Sequence, residues 1–111
     1  MDNVVVFFVT CPGPGEGERI AKHLLRAHLV ACVNVIPRIR SFYHWEGKIQ
    51  DDGETLLVCK TTKSRSEDFI SAVQDVHTGT LPEIVGMNAD VVEKRYGKWI
   101  TESTRPPVED A

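Results

Sequence analysis

Val30–Thr62 reads VACVNVIPRIRSFYHWEGKIQDDGETLLVCKTT. An apolar-alternating run, a short polar turn at Glu46-Gly47 and a return run ending LLVCKTT make one long β-hairpin. On the outgoing arm Val33, Val35, Ile39, Tyr43 and Trp45 share one parity, and Asn34, Ile36, Arg38, Arg40, Phe42 and His44 share the other. Strict alternation puts the two sets on opposite faces. Pro37 cannot donate to a ladder, so it marks a bulge, a bend or an edge. Fully extended, Val33 to Trp45 spans roughly 40 Å at about 3.3 Å per residue. A domain of about 100 residues has a radius of gyration near 13 Å. The arm therefore either curls over its own core or overhangs it. An overhanging arm bearing Phe42, Tyr43 and Trp45 is an aggregation-prone edge, and pairing with a second copy protects it. The hairpin thus predicts an oligomer.

Upstream, Asn3–Thr10 (NVVVFFVT) is a continuous apolar, β-branched run and reads as a central strand buried on both faces. Cys11-Pro-Gly-Pro-Gly ends it in a turn. From Glu16 to Leu29, Ile20, Ala21, Leu24, Leu25 and Ala27 recur at helical spacing, with Glu16 and Glu18 in the first turn. Downstream, Ser64-Arg-Ser-Glu67 matches a capping box, Phe69, Ile70, Val73 and Val76 give a second helix its stripe, and Gly79 is its stop. Glu83–Ala89 reads as a fourth main strand. Asp90-Val-Val-Glu93 opens another helix with Val92, Tyr96, Trp99 and Ile100 as its buried side. The order β-α-β-β-α-β plus a terminal helix predicts an α+β, ferredoxin-like fold with an extended hairpin. A single domain over residues 1–102 is expected, followed by a polar, proline-bearing tail over 103–111.

The 111 residues are 41% hydrophobic and 26% charged with a formal net charge of −3, an ordinary soluble composition for one domain. Without a basic stripe, nucleic acid is a poor partner. No segment approaches a membrane span, and MDNVVVFFVT lacks the positive start and cleavage site of a signal peptide. Three cysteines, Cys11, Cys32 and Cys59, form no CxxC and are odd in number. They read as reduced thiols, and the expected location is cytoplasmic.

There is no phosphate loop with its Lys-Ser/Thr, no GxSxG, no HExxH and no legible nucleophile–base pair, so catalysis is not expected. His77 closes the second predicted helix and Glu83 opens the fourth strand. A turn can bring this imidazole and carboxylate to one pocket, where they suit Zn or Cu if a neighbouring chain adds ligands. The plainer reading is a His satisfying a helix end and an exposed Glu. Cys11, at the end of a strand, is an accessible candidate for a soft metal. Cys32 and Cys59 read as structural thiols. His23 and His28, five apart, do not share a helical face suited to one metal, and His44 reads as packing beside Trp45.

Ala31-Cys-Val-Asn-Val-Ile-Pro37, Ser41-Phe-Tyr-His-Trp-Glu-Gly-Lys48, Leu56-Leu-Val-Cys-Lys-Thr-Thr62 and Tyr96-Gly-Lys-Trp-Ile100 together resemble the CutA divalent-cation tolerance family. The resemblance runs through nearly the whole chain in order. It implies a homotrimer whose long hairpins pair between subunits, with no known enzymatic activity and no obligatory cofactor. It implies tolerance of copper and other divalent cations, with Cu(II) or a similar ion bound weakly near an inter-subunit cleft. The family's histidine–glutamate motif reads here His77-Thr-Gly-Thr-Leu-Pro-Glu83. His77, Pro82 and Glu83 match, and become the expected metal ligands. Thr78 and Gly79 replace a Pro and a Tyr, and Gly79 is expected to loosen the turn. The expected partners are further copies of the chain and divalent ions, with neither nucleic acid nor membrane. The alternative is a trimeric small-molecule or nucleotide sensor resembling the PII signal proteins, with Arg38, Arg40 and Lys60 as phosphate-binding candidates.

Overall fold

The computed structural model describes residues 3–107. Along the chain lie β1 (Val4–Cys11), α1 (Pro14–Arg26), β2 (Cys32–Trp45), β3 (Lys48–Thr62), a 3-10 turn (Lys63–Arg65), α2 (Ser66–Val76), β4 (Ile84–Asn88) and α3 (Lys94–Ser103). The strands form one antiparallel sheet in the order β2-β3-β1-β4. This is the α+β, ferredoxin-like arrangement.

Alternation along β1 decides the layers. Val5, Phe7, Val9 and Cys11 point to the helices and are buried with Ile20 and Leu24 of α1, Phe69 and Val73 of α2, and Leu57 and Cys59 of β3. Phe7 stacks on Phe69 with ring centroids 4.2 Å apart. Gly86 lies opposite Phe7, and a Cβ there would stand 2.6 Å from the Phe7 ring, so only glycine fits. On the other face α3 covers one end, where Ile100 packs on Val4 and Ala31. Val6, Phe8 and Thr10 stay half-buried. The expectation that β1 is buried on both faces therefore fails, because the single chain has no second layer to lay over its middle.

The helix ends carry two further corrections. A 3-10 turn precedes α2, so the N-cap position falls on Arg65, one residue after the expected Ser64, and Arg65 makes no side-chain cap. α2 stops at Val76, three residues before Gly79. α1 ends in a Schellman turn: Leu29 N–H bonds Leu24 O at 3.0 Å and His28 N–H bonds Leu25 O at 3.1 Å. His28, at φ 56°, occupies the left-handed position that glycine usually fills. α3 starts at a side-chain cap, Glu93 accepting Tyr96 N–H at 2.8 Å. Of its expected buried side only Ile100 is fully enclosed, while Tyr96 and Trp99 lie on the surface. The packed chain continues past residue 102: Ser103 is helical and buried Thr104 donates its hydroxyl to Ile100 O at 2.9 Å. The last four residues of the expected tail, 108–111, lie outside the described residues.

The hairpin holds the main surprise. Ile36 pairs with Leu56, but the next ladder partner, Ile39, pairs with Glu54. One extra residue sits in β2, with Arg38 at φ 63°. This bulge flips the parity of the outgoing arm. Val33 and Val35 lie on the helix side opposite Cys59 and Leu57, whereas Ile39, Tyr43 and Trp45 join Ile36 on the open side. Val33 and Trp45 do not share a face, contrary to the strict alternation of the sequence. Past the bulge Arg40 grips Asp51 through two bonds of 2.9 and 2.8 Å, and Tyr43 donates its hydroxyl to Asp52. Glu46 (φ 51°) and Gly47 (φ 75°) form the tip, a two-residue turn of type I′. The molecule measures 49 × 35 × 22 Å, long for its mass because the hairpin projects.

Candidate functional site

The end of α2, the start of β4 and the outer part of the hairpin border an open cavity of about 900 Å³. Phe42, Tyr43, Trp45 and Leu81 give it an apolar wall, and Asp52, Glu54, Glu83 and His77 give it a polar one. Both expected metal ligands, His77 and Glu83, thus line one space.

His77 is held by its own chain on both sides of the ring. Nε2 lies 2.7 Å from Thr10 O, and Nδ1 accepts Gly79 N–H at 2.8 Å. The two bonds together require the neutral tautomer with hydrogen on Nε2. A Cβ on Gly79 would meet His77 Cε1 at 2.8 Å. Gly79 thus holds the ring against the turn through its N–H, and the imidazole lies close over its Cα side. The same segment is clamped from α1. Glu16 accepts Thr78 N–H at 2.9 Å, and Arg19 donates to Val76 O at 2.6 Å while pairing with Glu16 at 3.2 Å. Burial pushes the Glu16 carboxyl up, but the Thr78 hydrogen bonds with His77 and Arg19 outweigh it, and its pKa lies below the usual carboxylate value.

Glu83 behaves in the opposite way. Burial first, and then the neighbouring Glu54 carboxylate, hold its pKa above the usual value. No hydrogen bond or ion pair to either Glu54 or Glu83 occurs among the described residues. Both carboxylates border the same cavity, and neither is neutralised by a paired cation there. The described residues contain no group of three or more His, Cys, Asp or Glu able to hold a metal ion.

The other candidates are dispersed. Cys11 is fully buried, not accessible, and burial followed by Glu16 pushes its thiol up. The Cys59 thiol, also buried, is pushed up to about 12. Cys32 is half-buried, 3.9 Å from Lys60 Nζ. His23 and His44 are exposed, and His28 lies with Nδ1 3.3 Å from Ser103 O. Lys60 and Asn34 bond each other on the open face, apart from Arg38 and Arg40. The Glu16–Arg19 clamp and the Glu54 neighbour of Glu83 were not foreseen. The spacing of Glu16 and Arg19 at i, i+3 was the only available signal, and it cannot tell of a contact with residues 76–78.

The profile of the family described as CutA1 divalent ion tolerance protein matches residues 5–103. The chain belongs to this CutA1 family. It is 37% identical over 101 residues to "Protein CutA, chloroplastic" of Arabidopsis thaliana, covering 91% of the chain and 56% of that relative. The crystal structure of CutA1 from Oryza sativa superposes with a TM-score of 0.91 at 36% identity, covering 94% of this chain and 95% of that one. The structure of the "Periplasmic divalent cation tolerance protein CutA" from Archaeoglobus fulgidus gives 0.89 at 35% identity, covering 92% and 99%. The chain spans little more than half the length of plant and vertebrate relatives such as the Arabidopsis and human proteins, 56% and 57%. A chloroplastic and a periplasmic name among these relatives overturn the expectation of a cytoplasmic protein. Three unpaired thiols carry no information on compartment, since a chain without a disulfide folds in either redox setting. The family is named for ion tolerance and not for a reaction.

Proposed function

We propose that this chain is a non-catalytic divalent-ion tolerance protein that binds divalent cations weakly in the cavity beside the hairpin. The observation that carries the reading is that Glu83, Glu54 and His77 border one cavity, with neither carboxylate in a hydrogen bond or ion pair among the described residues. Glu83 is the anchoring ligand. His77 joins only by releasing Gly79 N–H from Nδ1, which keeps the site weak. Cu(II) binds most tightly among first-row divalent ions at such an N/O set, by the Irving–Williams order.

The assembly belongs to the same reading. Ile36, Val85 and Met87 are 44%, 51% and 50% exposed on the open face, and half-buried Phe8, Leu56 and Val58 lie among them. The bulge adds Ile39, Tyr43 and Trp45 to that surface. A homotrimer covers this face and places a neighbour's residues at the mouth of the cavity, where the two carboxylates need further ligands.

Calorimetry with Cu(II) and Zn(II), alongside light scattering, tests both parts. Glu83→Gln is expected to remove most of the copper heat, and His77→Ala a smaller part, because His77 joins only by releasing Gly79 N–H. Copper binding unaltered in both variants refutes the metal reading. A mass near one 12.4 kDa chain refutes the assembly.

A further inference from the structure

The three thiols differ in their surroundings. Cys11 and Cys59 are 0% exposed in the core on the helix side of the sheet, and burial raises the pKa of each. Both fit the role of inert structural thiols. Cys32 does not. It is half-buried at the start of β2. Val33 pairs with Cys59, so alternation along β2 turns the neighbouring Cys32 to the opposite face.

The ladder partner of Cys32 is Lys60. Directly opposite residues of an antiparallel pair project from one face with their Cβ atoms close together. The two side chains meet there. Lys60 Nζ lies 3.9 Å from Cys32 Sγ and also bonds the side-chain oxygen of Asn34, two residues further along the same face. Lys60 takes part in no ion pair among the described residues. The pair lies at the α3 end of the sheet, next to Ala31 and before the bulge. Neither residue lines the cavity of His77 and Glu83.

This placement decides what an oxidised Cys32 can do. A sulfenic acid condenses with a nearby thiol or with a nitrogen. The other two thiols of the chain are on the far side of the sheet, so the Cβ vectors point apart and no disulfide closes within the chain. The Lys60 amine is at hand, on a flexible stem able to close the remaining distance.

We propose that Cys32 and Lys60 are a modification site at which hydrogen peroxide installs a reversible sulfur–nitrogen bridge. The Cys32 thiolate attacks one peroxide oxygen, the O–O bond breaks, and Cys32–SOH and water form. The sulfur is oxidised by two electrons and the peroxide is reduced. Lys60, after giving one proton to solvent, attacks the sulfenic sulfur through nitrogen. The S–O bond breaks, and the hydroxyl leaves as a second water with a proton from the amine. In sum, one thiol, one ammonium and one peroxide give one S–N bridge, two waters and one proton. A reducing thiol returns both side chains. The bridge removes the charge of Lys60 and ties β2 to β3 across 28 residues of chain.

The test is brief exposure of the full chain to hydrogen peroxide at about pH 8, near the ordinary thiol value, followed by intact-mass and peptide mass spectrometry. The expected product is lighter by two hydrogens, joins the Cys32 and Lys60 peptides, and reverts with dithiothreitol. Cys32→Ser should abolish it although Cys11 and Cys59 remain. Lys60→Arg keeps the charge but should give no bridge, leaving a Cys32 sulfenic acid that dimedone traps. Unfolding the parent in guanidinium separates the pair and should slow bridging at least about tenfold, because the reaction then loses its preset geometry. The proposal is overturned if peroxide takes Cys32 to the sulfinic acid, or to a disulfide between copies, while Lys60 stays free. It is also overturned if bridging in the unfolded parent is as fast as in the folded one, a comparison that needs no variant to fold.

Discussion

On one face of the sheet Phe7 is enclosed and stacked on Phe69, with Val5, Val9, Leu57 and Cys59 buried around it. On the other face Phe8, Val58 and Leu56 are only half-buried, and Val85 and Met87 are half exposed. The middle of each face is apolar, but only the helix side is covered by the same chain. An apolar face that the same chain leaves open marks a surface meant for something else. The helix side stabilises the chain by itself, whereas the open side has energy to give only when it is covered. Substitutions on the two faces should therefore differ in kind as well as in size.

The largest effect belongs to the covered face. Phe69→Ala removes a ring that is 0% exposed and leaves Phe7 facing a void. It should lower unfolding free energy by about 3–5 kcal/mol, at any protein concentration. Denaturant melts at two concentrations give the answer, and a loss below about 1 kcal/mol means the helix layer is not the core. Trp45, 36% exposed at the hairpin end, is the contrasting case. If copies cover the open side, Trp45→Ala should cost about 2 kcal/mol or more per subunit and make the melting temperature depend on concentration. A small, concentration-independent change would place Trp45 in solvent and reduce the open face to an ordinary surface.

A smaller contrast lies between the two carboxylates Glu16 and Glu83. The folded pKa of Glu16 is depressed, so its contribution is present above the unfolded value and is lost as pH falls through the folded one. Glu83 has a raised pKa, so its ionised form opposes folding at neutral pH, and that opposition is relieved as pH falls through the folded value. Glu16→Gln should lower stability near neutrality and flatten the acid limb. Glu83→Gln should raise stability near neutrality and steepen the acid limb relative to the parent. Melts between about pH 3 and 7 bracket the ordinary carboxylate range on both sides. Two variants moving in the same direction would break the contrast and show that burial and the Glu54 carboxylate do not oppose Glu83 ionisation.

The element order was legible because period-2 and period-3.6 patterns are local and well separated by Cys11–Gly15, Glu46-Gly47 and the 77–83 turn. The facing of the hairpin was not. Pro37 announced a bulge, a bend or an edge, yet the choice rests on how β3 pairs, and one extra residue reverses every side chain beyond it. The start of α2 was misplaced for a similar reason: a 3-10 turn carries the chain from β3 into α2 and moves the N-cap from Ser64 to Arg65. Tyr96 and Trp99 were read as buried from their spacing, but spacing names a side of a helix without saying whether anything covers it. His77 and Glu83 could be brought to one cavity because they end and begin adjacent elements. Glu54 could not be added to them, since its place beside Glu83 depends on β3 pairing with β1 across the whole sheet.

The smallest expected effect is at the hairpin tip, the part of the open side furthest from any core. Glu46 and Gly47 both have positive φ, as a type I′ turn requires, and glycine adopts that region freely. Glu46 does not: a longer side chain at φ 51° is held there by the ladder on either side of it, Trp45 to Lys48 and His44 to Ile49. Asn tolerates the left-handed region better than Glu, and Asn-Gly is the preferred type I′ pair. Glu46→Asn should therefore stabilise the tip by a few tenths of a kcal/mol, within the range of turn-residue effects below about 1 kcal/mol. Global unfolding is a poor gauge, because the tip can open while the helix side stays closed. Hydrogen exchange of the Trp45 and Lys48 amides is the better one. Slower exchange at both, with the Phe7 and Cys59 amides unaffected, would show that the arm's own turn limits its order. If exchange at the tip is unchanged by Glu46→Asn but slows as protein concentration rises, the arm is ordered by a second copy and not by its turn, which is the sharpest form of the difference between the two faces.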